Sequence, residues 1–169
     1  MTKLSPSRFT ISTEFEVYKS ASDLEQQDLE LLHAAQKAVE SAYAPYSNFY
    51  VGAAVLLENG KIILGNNQEN AAYPSGLCAE RVAIYHAGAI YPDIAVKAIA
   101  VTCKSKNNII NVPLSPCGGC RQTISEYENR YGQKIRIIMC GETGEVYVSE
   151  SIENLLPLMF NAKYLPSKD

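Results

Sequence analysis

The sequence predicts an α/β domain in which helices alternate with short buried strands around one mixed sheet covered on both faces. Three observations predict it. The apolar runs Val51–Leu57, Lys97–Cys103 and Ile135–Cys140 have the length of buried strands. Longer segments with apolar residues at helical spacing lie between them. Asn59-Gly60 parts two apolar runs as a hairpin signal, because both central positions of a tight hairpin turn need φ > 0.

Residues 1–22 read as an N-terminal extension and 23–169 as the domain. Within the extension, FTISTEFEVY alternates apolar and polar positions (Phe9, Ile11, Phe15, Val17), which predicts a short strand. Ser22 and Glu25 have capping-box spacing, so a helix should follow. Its apolar side would be Leu24, Leu31, Leu32, Ala35, Ala38, Val39 and Ala42, and Pro45 ends it. Lys61–Leu64 returns as the second strand of the hairpin, and Pro74 and Gly76 punctuate a loop over 66–77. Helices are predicted over Cys78–Gly88 and Gly119–Tyr131. Glu145–Val148 is a last strand, and Ile152–Leu156 a short helix stopped by Pro157.

The 169 residues suit one domain. With 47% hydrophobic and 20% charged residues, a disordered or fibrous chain is excluded. Fifteen basic against eighteen acidic residues leave a net charge of −3, the opposite of the bias nucleic-acid binders carry, so no nucleic-acid partner is expected. No run of apolar residues is long enough to span a membrane, so no membrane partner is expected. The N-terminus, MTKLSPSRFTIST, has no apolar signal core, which places the chain in the cytoplasm. Five cysteines in a reducing compartment point to metal binding, catalysis or burial rather than disulfides.

The chemistry-bearing pattern is Cys78-Ala79-Glu80 followed by Pro116-Cys117-Gly118-Gly119-Cys120. A Cys-x-x-Cys pair grips a metal from one turn, and a distant third thiolate completes three protein ligands. Three ligands with a free fourth position is the pattern of catalytic zinc; structural zinc closes all four. Both clusters fall at predicted helix N-termini, where free N–H groups and the dipole favour thiolates. Zinc with three thiolates carries a charge of about −1 by addition, and Arg81 and Arg121, each directly after a cluster residue, can compensate it. Glu80, two residues after Cys78, can move protons beside the metal if both lie in the first turn. Two other readings remain open on spacing alone. Cys117 and Cys120 can form a redox pair, or the metal can be structural with Cys103, Cys140 or a histidine as fourth ligand. His86 is too far along its helix from Cys78 to share the ion, and His33 and His86 read as helix-face residues. Cys103 and Cys140 read as core.

At these residues the chain resembles the small, three-cysteine, homotetrameric cytidine deaminases. The resemblance runs over about residues 24–160. Five segments carry it in order: Ala44-Pro45-Tyr46-Ser47-Asn48-Phe49 with Val51-Gly52-Ala53-Ala54, Asn67-Gln68-Glu69-Asn70-Ala71-Ala72-Tyr73-Pro74, Cys78-Ala79-Glu80-Arg81, Pro116-Cys117-Gly118-Gly119-Cys120-Arg121-Gln122, and Leu155-Leu156-Pro157-Leu158-Met159-Phe160. The resemblance implies a three-layer α-β-α fold with a mixed, mostly five-stranded sheet, one Zn²⁺ per subunit, and hydrolytic deamination of cytidine and 2′-deoxycytidine.

Residue by residue, the resemblance makes Cys78, Cys117 and Cys120 the zinc ligands and Glu80 the proton shuttle. It gives Asn67 and Glu69 to the ribose 3′-hydroxyl, Phe49 to the nucleoside pocket and the backbone of Ala79 to the base edge. Tyr73 and Phe160 belong to subunit contacts, with Phe160 closing over a neighbour's base, which implies a homotetramer with shared active sites. The chemistry agrees: Asn67 offers donors and an acceptor and Glu69 acceptors only, so a hydroxyl can be bracketed. A carboxylate at the sugar also disfavours a phosphate there, hence nucleosides over nucleotides. The alternatives are a deaminase of a cytosine-bearing antibiotic such as blasticidin S and a non-catalytic zinc module. The N-terminal twenty or so residues exceed the usual family length and suggest an edge strand or a subunit clasp.

Overall fold

The computed structural model describes residues 6–165. The first five residues of the extension and the last four of the domain lie outside the described residues. Nine regular elements follow one another: β1 (Glu16–Tyr18), α1 (Gln26–Val39), β2 (Phe49–Leu57), β3 (Ile62–Asn66), α2 (Ala79–Ile90), β4 (Val96–Ser105), α3 (Gly118–Tyr131), β5 (Arg136–Cys140) and β6 (Val146–Ser149). The strands form one mixed sheet in the order β1-β6-β5-β4-β2-β3. Only β4 and β5 run parallel, as their connection through α3 requires; every other pair is antiparallel.

The period of two along β2 explains the three layers. Ala53, Val55 and Leu57 face α2 and α3, packing with Ala83, Ile84, Ile99, Val101 and Ile124. Ala54 and Leu56 face α1, packing with Leu31, Leu32, Ala35, Ala100 and Ile138. The sheet is thus buried on both faces, and its strands read as continuous apolar runs for that reason.

Three expectations are corrected in detail. The capping box lies two residues before its expected place: Asp23 Oδ2 accepts from Ser20 N (3.1 Å) and caps a 3₁₀ turn at Ala21–Asp23, while α1 starts later behind Glu25. The hairpin turn, over the residues 58–60 that the predicted strands leave between them, differs in conformation. Leu57 N bonds Lys61 O (2.9 Å), and only Gly60 (φ +79°) takes a positive φ, the geometry of a type I turn closed by a left-handed glycine. The sheet has six strands, not five. The extra one is β1, three residues from the extension paired to β6, and residues 6–15 before it are irregular.

Arg136 fastens this added strand. Its guanidinium donates to Asp28 of α1 (2.9 Å) and Glu16 of β1 (2.8 Å), and it also pairs with Glu150. Arg136→Met leaves the buried Asp28 carboxylate without its cation. The expected cost is about 2 kcal/mol, below that of a fully enclosed pair because water reaches the cluster, and urea unfolding measures it.

Candidate active site

The three cysteines of the expected metal site stand at two helix starts. Cys78 is the N-cap of α2 and Cys117 the N-cap of α3, both in extended conformation and neither using its side chain to cap. An N-cap oxygen would bind the orphan N–H groups of the first turn; a cysteine leaves its sulfur free to turn elsewhere. Cys120 lies in the first turn of α3 and is fully buried. The Cys78 and Cys117 sulfurs are 3.7 Å apart, and those of Cys117 and Cys120 3.4 Å. All three lie within 4.8 Å of one another, and among the described residues no fourth histidine, cysteine or carboxylate joins them at that spacing. Cys103 and Cys140 are buried in the sheet, their thiols pushed up by burial, Cys103 to about 11.

Two positive helix ends and one guanidinium converge on the sulfurs. Arg81 Nη2 lies 3.7 Å from Cys78 Sγ, while its Nε is buried with no partner. A hydrogen bond from the Cys120 thiol, helped by Arg81 and Cys117 against burial, lowers Cys78 to about 5. Cys120 is pushed up, as the donor to Cys78 and by burial. A donor set of three converging sulfurs beside a partly unpartnered arginine fits a zinc ion whose surplus negative charge Arg81 offsets. Arg121, expected to share that role, does not: its guanidinium bonds Pro116 O, Ser115 Oγ and Leu155 O instead.

Glu80, the second residue of α2, is 5% exposed. Burial, aided by the Cys78 charge, raises its carboxyl above the ordinary range. It lines a cavity of about 380 Å³ together with Val51, Asn67, Glu69, Tyr73, Ala79 and Cys117, among others. That volume is in the range of small-molecule sites. A larger hollow lies under the C-terminal segment, away from the sulfurs, and carries no comparable chemistry. Ala79 opens α2, so its N–H is one of the four with no partner inside the helix.

Part of the cavity wall is built by a loop folded around a carboxylate. Glu69 Oε2 accepts from the backbone of Tyr46 (2.9 Å) and Ser47 (3.3 Å), and Glu69 Oε1 accepts from the Ser47 hydroxyl. Burial opposes its charge, but these donors outweigh burial and hold it below the usual carboxylate range. Asn67 spans the edge of β2, accepting from Val51 N (2.8 Å) and donating to Phe49 O (2.9 Å). A lone pair on Glu69 Oε1 and the second N–H of Asn67 remain to bracket a hydroxyl. Phe49 sits at the entry of β2, half-buried, and Val51 two residues on supplies the cavity wall. Tyr73 stands exposed at the rim, edge-on to Tyr46. Phe160 is not in this cavity; it is exposed on the C-terminal segment, stacked on Tyr164. Sequence reading missed Ser47, whose hydroxyl reaches Glu69 across 22 positions, and Leu114 and Ser115 of the wall.

The profile of the cytidine and deoxycytidylate deaminase zinc-binding region matches residues 25–132, a span that holds all three cysteines and Glu80. The chain belongs to this deaminase family. A cytidine deaminase of Halalkalibacterium halodurans is 40% identical over 135 residues, covering 79% of this chain and 93% of that protein. One from Sporosarcina psychrophila is 45% identical over 100 residues, 59% of this chain and 68% of its own length. The crystal structure of cytidine deaminase from Burkholderia pseudomallei superposes with a TM-score of 0.67 at 38% identity, over 81% of this chain and all of that one. The chain is thus a zinc-binding deaminase domain with three cysteines placed to bind a metal ion. Among the described residues no helix of this deaminase is long and apolar enough to cross a membrane.

Proposed function

We propose that this chain hydrolyses cytidine and 2′-deoxycytidine to uridine and 2′-deoxyuridine, releasing ammonia. One observation carries the reading: Cys78 and Cys117 of the three-sulfur cluster, the buried Glu80 carboxyl and the Asn67–Glu69 amide–carboxylate pair line one cavity of small-molecule size. Cys78, Cys117 and Cys120 would hold a zinc ion, whose chemistry there would be to activate a water as the nucleophile for C4 of the cytosine ring. Glu80 would accept the proton that the attacking water gives up and deliver it to N3 of the ring; it would then take the remaining proton from the new C4 hydroxyl and pass it to the exocyclic nitrogen, which leaves as ammonia when the C4–N bond breaks. Its raised proton affinity suits that exchange near neutral pH. The free N–H of Ala79 fits a ring acceptor, and Arg81 offsets the thiolate charge.

Asn67 and Glu69 hold the 3′-hydroxyl, which both substrates carry; Phe49 does not line the cavity itself but begins the strand whose Val51 does. A fixed carboxylate there disfavours a sugar phosphate, so the substrate is a free nucleoside and not a nucleic acid. The assembly is a homotetramer with shared sites. Tyr46, Tyr73 and Leu77 leave apolar surface exposed around the cleft mouth, and Leu158 and Phe160 expose more on the C-terminal segment, which suits Phe160 to a neighbour's cleft. Three free thiols serving a metal suit the reducing cytoplasm.

The deciding experiment measures zinc per chain and the fall in ultraviolet absorbance of cytidine, with blasticidin S in parallel. The expected result is one zinc per chain and turnover of cytidine; zinc without turnover overturns the reading, and turnover of blasticidin alone moves it to the antibiotic. Glu69→Ala is expected to raise KM for both nucleosides roughly 10–100-fold with a smaller change in kcat, because it removes binding shared by ground and transition states. Steady-state kinetics checks this split.

A further inference from the structure

Arg121 follows the ligand Cys120 but turns its guanidinium away from the sulfurs. Nε donates to Pro116 O (2.8 Å), Nη2 to Ser115 Oγ (2.8 Å) and Nη1 to Leu155 O (2.7 Å). The Pro116 carbonyl belongs to the peptide that leads into Cys117, so two of these bonds fix the loop presenting one sulfur. The third fixes the start of the C-terminal segment. Two further residues of the same helix hold that segment downstream: Gln122 Nε2 donates to Phe160 O (2.9 Å), and Ser125 Oγ to Met159 Sδ (2.9 Å). One planar cation with donors in a fixed fork thus spans acceptors from two stretches of chain that are otherwise about forty residues apart.

We infer that Arg121 is a positioning residue that ties the Ser115–Cys117 loop to the segment Leu155–Phe160, so that holding zinc and holding the C-terminal segment are thermodynamically linked. The inference rests on the reading of Cys117 as a zinc ligand. Linkage makes the effect reciprocal: metal in the cluster steadies the segment, and a docked segment steadies the loop that presents Cys117. Because Phe160 is proposed to cover a neighbouring subunit's base, the tie joins one subunit's metal loop to the next subunit's substrate.

The test uses the full chain as wild type, Arg121→Ala and Arg121→Lys, with two readouts that need no substrate. One is the rate of zinc loss to a chromogenic chelator. The other is release of the peptide following the exposed Lys163 by trypsin, followed by mass spectrometry with and without zinc. The wild type is expected to release this peptide about tenfold faster when stripped of zinc, and Arg121→Ala to lose zinc about tenfold faster, inside the ~5–150-fold range of coupled sites. In Arg121→Ala, cleavage after Lys163 should no longer respond to zinc. A residue that merely supports the fold would lower stability without removing that metal dependence. Arg121→Lys keeps the charge and the stem but lacks the fork, so it should behave like the alanine variant, and it decides the matter alone if Arg121→Ala does not fold. Wild-type zinc loss in Arg121→Lys, or metal-independent cleavage in the wild type, overturns the inference. A wild-type chain that takes up no zinc would instead overturn the proposed function, before any variant is compared.

Discussion

Glu80→Gln is expected to keep one zinc per chain and the wild-type fold while lowering kcat for cytidine roughly 10³–10⁴-fold, the full worth of a positioned acid–base group. The substitution is close to isosteric and removes only the capacity to take and give a proton. Glu80 sits in the first turn of α2, 5% exposed, and is not one of the three clustered sulfur ligands, so metal uptake should survive. The neutral amide also removes a carboxyl whose ionised form burial and the Cys78 charge disfavour. Stability should therefore hold or rise slightly, and a large drop in Tm is not expected. If proton transfer is what the residue contributes, kcat and kcat/KM fall together while KM moves little. Steady-state kinetics on zinc-quantified protein gives all three quantities. Activity within tenfold of wild type would remove Glu80 from the chemistry and favour a metal that serves only the fold.

The metal pattern was legible from residue types and spacing because both depend on short stretches of chain. A cysteine at an N-cap can be read locally: Cys78 and Cys117 each precede a helical run, and the sulfur has no capping bond to make. The buried strands were legible for a similar reason, since β2 through Leu57 and β5 from Ile137 to Cys140 are apolar runs. What escaped depends on distance or on competition between equivalents. Ser20/Asp23 and Ser22/Glu25 are two overlapping capping-box patterns with equivalent spacing, and the structure uses the first. Asn59-Gly60 marks a turn without stating which conformation it takes. Ser47 reaches Glu69, and Arg121 reaches Leu155, across 22 and 34 positions; no local pattern encodes either bond. The direction of Arg121 is the clearest instance. Next to a thiolate cluster an arginine reads as charge compensation, yet three carbonyl and hydroxyl oxygens within 2.8 Å hold it on the other side.

Gly65→Ala should do large damage for a single methyl group, because the space that methyl needs is occupied by backbone. A Cβ built on Gly65 of β3 would lie 2.4 Å from Ala83 N and 2.5 Å from Ala79 O, contacts that no side-chain rotation relieves. The helix must move, and the helix is α2, whose first turn carries Ala79 and Glu80 and whose cap is Cys78. Over-packing of this kind costs about 3 kcal/mol in stability. Its distinctive consequence is at the metal. Any displacement of α2 from β3 carries the Cys78 sulfur away from those of Cys117 and Cys120, which belong to α3 and stay behind. Competition with a chelator should therefore register at least a roughly tenfold loss of zinc affinity, about 1.4 kcal/mol. Gly60→Ala is the control. It also forces a side chain into a positive φ (+79°), but nothing lies within 4 Å of its Cβ and the turn is remote from the sulfurs. It should cost about 1 kcal/mol of stability and leave zinc affinity unchanged. Equal zinc affinity in the two variants would mean that α2 can shift on the sheet without disturbing the cluster, and that the close seat at Gly65 serves packing alone.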